Sequence, residues 1–268
     1  MREHDLIQSM AASFSRSDRQ KNALFECDSE IIQIGESLWG LSMDEFSPDE
    51  DLFTSESPVR LGKNLTVATL SDLLAAGAEP EFFMHSISFP RSVERDFVDG
   101  LMEGIRTILD INNCAMCGGD VGTADPWRFC GFGMGPVVSD QPLTHCLPGE
   151  SQTLWITGTL GDANLAALQG TATPEFELRH KEAGVIRSCA SACIDTSGGL
   201  MAALWLLHEQ NPALAFDIRL DDVPIADRIE HRAVEHQEAG LNRREGSEGG
   251  VRGRGQSSYL RSAAEEGR

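Results

Sequence analysis

Apolar positions recur three and four residues apart in several stretches of the chain and alternate in others. Leu6, Ile7, Met10 and Ala11 fall on one face between Glu3 and Phe14 and predict a helix. A polar stretch, Ser15 to Asn22, leads into Cys27–Ile34, read as a strand from Glu30. Gly35-Glu36 reads as a turn into a second strand, Ser37–Met43, which makes a hairpin. Ser47–Ser57 is acidic and rich in turn formers, so it reads as a loop. Val59–Ala76 has helical periodicity and stops at Gly77, a suitable residue just past a helix end. A strand over Phe82–Phe89 and a helix from an N-cap at Ser92 to about Ile111 follow. A strand around Cys114–Cys117 runs into Gly118-Gly119-Asp120. Another, Trp127–Val138, carries Gly131, Gly133 and Gly135, so it bends or packs closely on backbone.

Asp140–Glu150 reads as a linker. Beyond it the pattern predicts strands at Thr153–Thr157, Cys193–Asp195 and Leu214–Leu220, and helices at Asp162–Gln169, Lys181–Ala190 and Leu200–Glu209. Strands and helices interleave, so the fold class is α/β (α+β). The expected organisation is an N-terminal domain over 1–139, a partial second domain over 140–226 and a tail over 227–268. That tail has 8 Arg, no Lys, 8 acidic residues and 7 Gly, without either periodicity. It reads as disordered or, equally, as the product of a reading frame lost near Asp227, which would leave the second domain incomplete.

Charge narrows the partners. The 268 residues carry a formal net charge of −20, all of it in Met1–Ala226, where 14 basic residues face 34 acidic ones. Duplex nucleic acid and anionic lipid need a basic footprint and are disfavoured, whereas phosphorylated small molecules remain open if a cation bridges them. No run of 18 apolar residues and no apolar leader appears, so the expected location is the cytoplasm. Seven cysteines, an odd number mostly inside apolar runs, suit reduced packing residues; Cys114 and Cys117 lack the second pair of a zinc finger.

Familiar nucleotide motifs are missing. Leu61-Gly62-Lys63-Asn64 lacks the rest of a P-loop, and Gly131-x-Gly133-x-Gly135 lacks dinucleotide spacing. There remains a series of aspartates at predicted element ends: Asp28, Asp44, Asp120 and Asp195, with Asp72 inside an apolar helix. Singly, each is an ordinary turn or cap residue. Asp72 differs, because a carboxylate among Leu70, Leu73 and Leu74 is costly unless it is paired or metal-bound. Together they suggest a hard-cation site, and Gly118-Gly119 would admit phosphate close to backbone N–H groups.

These segments, in this order, resemble the thiamine-monophosphate kinases, in the superfamily of aminoimidazole ribonucleotide synthetase, selenophosphate synthetase and the hydrogenase maturation ATPases. The resemblance runs from Glu3-x-Asp5-Leu6-Ile7 through Leu70-Ser71-Asp72-Leu73, Ala76-Gly77-Ala78-Glu79-Pro80 and Gly118-Gly119-Asp120. It continues through Pro148-Gly149-Glu150 and Thr157-Gly158-Thr159-Leu160-Gly161 to Ala190-Ser191-Ala192-Cys193-Ile194-Asp195. It implies a two-domain PurM-like fold, a homodimer paired through its sheets, and transfer of the ATP γ-phosphoryl to thiamine monophosphate with Mg²⁺. By the same resemblance Asp28, Ser42, Asp44, Asp72, Asp120 and Asp195 would ligate metal, and Gly119, Asp120, His145 and Ser197 would contact ATP.

The departures are specific. Cys27 replaces an acid of the family's Gly-Asp-Asp, and Asp51 stands where a substrate-contacting His is usual. His145 stands near a usual ATP-contacting Arg, and Gly198 replaces the second acid of Asp-x-Ser-Asp-Gly. The later Gly-Gly-Glu-Asp-Tyr-Glu-Leu-type segment that shapes the thiamine site is absent. Each weakens metal or substrate binding. A related enzyme with another acceptor, and an inactive nucleotide-binding paralogue, are therefore the alternative readings.

Overall fold

The computed structural model describes residues 3–48 and 57–227; the expected loop tip with Asp51 and nearly all of the tail lie outside the described residues. A short helix, α1 (Glu3–Ala11), precedes the hairpin of β1 (Glu30–Ile34) and β2 (Ser37–Phe46), turned at Gly35 in the left-handed region, φ +63°. The chain then forms α2 (Pro58–Ala75), β3 (Phe82–Phe89), α3 (Arg95–Ile111), β4 (Ala115–Thr123) and β5 (Arg128–Pro136). These strands make one mixed sheet in the order β1-β2-β5-β3-β4. β3 and β4 run parallel across α3, and β5 lies antiparallel between β2 and β3.

Both long helices cover one face of this sheet. α2 starts under the Ser57 cap, with Pro58 in its first turn, and α3 starts at Glu94 rather than Ser92, because a Pro90–Val93 turn intervenes. Leu65, Leu70 and Leu73 from α2 meet Leu101 and Ile105 from α3 and Phe83, Ile87 and Phe129 from the sheet in a single core. Gly62 and Gly104 are the contact points of the two helices: a methyl on either would strike the other helix's backbone, at Leu101 and Val59 respectively. The glycines of β5 pack closely, as expected, since Gly131 and Gly133 lie beneath Thr69, Leu70 and Leu73.

After β5 the structure departs from the sequence reading. Helices α4 (Asp162–Gln169), α5 (His180–Cys189) and α6 (Leu200–Gln210) form, followed by one 3₁₀ turn, Leu220–Asp222. The predicted strands at 153–157, 193–195 and 214–220 do not form. A strand exists only through its ladder, and these segments acquire no paired neighbour; the single bridge among them and their surroundings joins Leu160 to Ile225. Residues 140–150, read as a linker, form neither helix nor strand but pack against the first half. Leu143 and His145 are buried, and backbone N–H groups of 143, 145 and 193 donate to Ala76, Glu26 and Thr144.

Side chains hold this second half on the sheet and helix body. Asn64, fully buried in α2, donates to the Pro174 carbonyl at 2.8 Å and accepts from the Phe176 N–H at 2.9 Å. Glu79 pairs with Arg187 at 2.8 Å and with His180 at 3.1 Å, and His180 reaches Asn112 at 2.9 Å. Among the described cysteines all seven are free; Cys114 is buried, but Cys117 is exposed because the β4 register shifts there, and Cys189 is exposed at the end of α5. Among the described residues no helix is long and apolar enough to cross a membrane.

Candidate functional site

Four of the aspartates converge from four separate segments. Asp28 precedes β1, Asp44 sits two residues inside the end of β2, Asp72 lies in the penultimate turn of α2, and Asp195 follows an unpaired extended segment. Burial raises the Asp72 carboxyl well above the usual carboxylate range, and the charges of Asp44, Asp195 and Asp28 raise it further. Asp195 is raised by burial and by Asp28. The Asp72 and Asp195 carboxyls lie against each other, a contact that raises Asp72 further and offsets part of the rise at Asp195. Ser71 Oγ lies 3.3 Å from Asp195 Oδ2, a neighbour to which the sequence reading gave no role although Ser71 directly precedes Asp72.

Asp28 has both oxygens engaged. Oδ1 faces His145 Nε2 at 3.1 Å, and Oδ2 accepts the Asp195 N–H at 3.0 Å. The Asp195 carboxylate then closes a turn, accepting the Ser197 hydroxyl at 3.0 Å and its N–H at 3.4 Å. His145 is 1% exposed, and its other nitrogen faces the Phe25 carbonyl at 2.8 Å. Burial alone would lower its pKa, but the hydrogen bond and charge of Asp28 and the Phe25 carbonyl raise it overall. The thiol of Cys27 turns away and donates to the Leu143 carbonyl at 3.1 Å, and burial pushes it up to about 12.

The other expected site residues lie elsewhere. Ser42 is buried and donates to the Thr69 carbonyl at 2.6 Å, tying β2 to α2. Gly119 and Asp120 do not follow a strand but lie inside β4, where Asp120 stands opposite Ser86, itself opposite Cys130, which is opposite Glu45. Alternation along β2 therefore puts Asp120 on the sheet face opposite Asp44, three strands away, or about 14 Å at the usual strand spacing. It is exposed there. A side chain at Gly119 would collide with the His85 carbonyl, which accounts for glycine at that position.

Asp44, Ser71, Asp195 and Ser197 open onto a cleft of about 2310 Å³. Acidic side chains outnumber basic ones along its described lining, where Arg179 and Arg219 are the cations and both are already paired with acids. A polyphosphate would be repelled from such a cleft unless a cation entered with it. Carboxylate oxygens are the donors a hard divalent ion such as Mg²⁺ prefers, so the residues fit it in type and charge. They do not form a finished cage: among the described residues no three His, Cys, Asp or Glu side chains stand ready to hold a metal ion.

Comparison with known proteins bears on the family and the fold. Residues 28–137 match the family described as AIR synthase related protein, N-terminal domain. A thiamine-monophosphate kinase of Pyrococcus abyssi is 26% identical over 244 residues, covering 85% of this chain and 74% of its own. The solved structure of AaThiL complexed with AMPPCP and TMP superposes with a TM-score of 0.74 at 19% identity, covering 88% of this chain and 80% of that one. A chain of the HypE–HypF complex superposes with a TM-score of 0.66 at 16% identity, covering 87% and 78%. At these identities the structural likeness establishes a shared fold.

Proposed function

From the premise that the chain is a PurM-like protein with an AIR synthase related N-terminal domain, whose curated relatives include thiamine-monophosphate kinases, we propose that it is an ATP-dependent phosphotransferase acting on thiamine monophosphate. The observation that carries the reading is the gathering of Asp28, Asp44, Asp72 and Asp195, of which Asp44 and Asp195 line an acidic cleft. Mg²⁺ held by these carboxylates would neutralise the transferring phosphates. The chain's own part is positional. Asp28 docks the Asp195–Ser197 turn, Ser197 lies exposed to meet a phosphate, and the closely set acids place negative charge where a cation–phosphate pair is drawn in. An acceptor phosphate oxygen is already anionic at neutral pH, so no strong base is required.

Coupled ADP release with thiamine monophosphate tests this directly. Turnover is expected in Mg²⁺ and at least about 100-fold less in Asp72→Ala; equal rates in the two proteins would remove the proposal. Binding of Mg·ATP without turnover is a second reading, favoured by Asp120 lying on the far sheet face and by Gly198 in place of an acid. Calorimetric titration with Mg·ATP, run beside the ADP assay, separates the two.

The open sheet face supports a homodimer. Met43, Phe132 and Met84 lie side by side across β2, β5 and β3 on the face away from α2, with Met43 68% and Met84 43% exposed. Phe132→Glu should convert a dimer to a monomer by sedimentation; an unchanged mass would refute that interface.

A further inference from the structure

His145 stands where the family resemblance implies a nucleotide contact, yet its side chain is 1% exposed and every polar group it owns is directed inward. Its N–H donates to Glu26 O at 2.7 Å, its carbonyl accepts from Asn211 Nδ2 at 2.8 Å, Nδ1 meets Phe25 O and Nε2 meets Asp28 Oδ1. An imidazole so enclosed has no edge left to offer a ligand in the cleft. It has instead one functional neighbour, Asp28, whose second oxygen holds the Asp195 N–H. The Asp195–Ser197 turn follows a segment with no ladder to fix it. Besides the Asp28 bond, that turn reaches the first half through the carboxyls of Asp72 and Asp195 and through Ser71.

We propose that His145 is a positioning residue: it holds Asp28 in the orientation that docks the Asp195–Ser197 turn onto the acids of β2 and α2, and it does not touch nucleotide. The role deepens the phosphotransferase reading and rests on it for its use in turnover. The docking itself exists without any ligand and can be measured on the protein alone.

Amide hydrogen exchange of Asp195 and Ser197 in the full chain, without ATP or Mg²⁺, is the deciding measurement, with Leu70 and Phe83 as reporters of global opening. The two amide substitutions divide the ring: the longer side chain of His145→Gln carries its amide to the place of Nε2 and keeps Asp28, whereas His145→Asn keeps only the place of Nδ1, at Phe25. Asp195 exchange should be near wild type in His145→Gln, and about tenfold or more faster in His145→Asn and His145→Ala, with Leu70 and Phe83 unchanged. Mg·ATP affinity should fall in the same order, and His145→Arg should weaken it. The proposal is overturned if Asn protects Asp195 as well as Gln does, or if all four backbone amides accelerate together. Tighter Mg·ATP binding in His145→Arg would also overturn it, by restoring the nucleotide contact. Absence of Mg·ATP binding in the wild type would remove the phosphotransferase reading while leaving the exchange result to decide the clasp.

Discussion

Asp72 concentrates the chemistry of the site in one side chain. Three other carboxylates crowd a group that is already poorly hydrated, so in the folded chain it and Asp195 keep a proton at pH values where the unfolded chain has released it. Their folded pKa values are raised, so this pair favours folding at low pH, and that contribution is lost as pH rises from the ordinary carboxylate range, near about 4, through the folded values. In chelator, the melting temperature should therefore increase on acidification from pH 7 towards 5. The increase should shrink in Asp72→Asn, which should itself melt higher than wild type at pH 7. A pH profile of the same slope in Asp72→Asn would show that the crowding is not felt. Mg²⁺ should raise the wild-type melting temperature at pH 7 and leave the variant nearly unmoved. The sequence already marked Asp72, because a carboxylate in the run Leu70–Leu74 needs a partner. It marked His145 only as an ATP contact implied by resemblance and missed its burial, since nothing local distinguishes a buried, four-bonded histidine from one in a polar loop.

Helices α2 and α3 show what periodicity can and cannot convey. Their extents were legible to within a residue or two at the ends from apolar spacing and Gly77, because a helix satisfies its own backbone and needs no distant partner. Their closeness was not, since it depends on Gly62 meeting Gly104 from a distant part of the chain. Gly62→Ala should cost roughly 1–3 kcal/mol in a denaturant titration, because the methyl meets rigid backbone at Leu101; a neutral result would mean the helices can slide apart. Asn64 acts differently, standing in for a neighbouring strand by bonding both the Pro174 carbonyl and the Phe176 N–H. Asn64→Ala should cost about 1–3 kcal/mol and expose 174–176 to exchange. The three missing strands have the converse explanation: their apolar content is real, but a ladder needs a neighbour that no local pattern specifies.

The whole molecule is unevenly held. From β1 to β5 a five-stranded sheet and two helices enclose one core, and the elements of this half were largely readable in advance. From 140 to 227 the chain is helices and extended segments fixed by scattered side-chain bonds, with Trp155 89% exposed. Limited proteolysis should cut first within 150–222 and leave a resistant fragment ending near Pro136; initial cleavage inside α2 or β3 would contradict this ranking. The placement of Asp120, which the sequence reading grouped with the other acids, was illegible for a related reason, because an aspartate's sheet face depends on register and not on composition. The placement of Asp195 has a calorimetric consequence. One acid of the site belongs to the less firmly held half and three to the firm half, so a ligand that engages all four also tightens the segments around the already docked 195–197 turn. Association should then show a large negative heat-capacity change and a favourable enthalpy opposed by entropy, the signature of binding coupled to ordering.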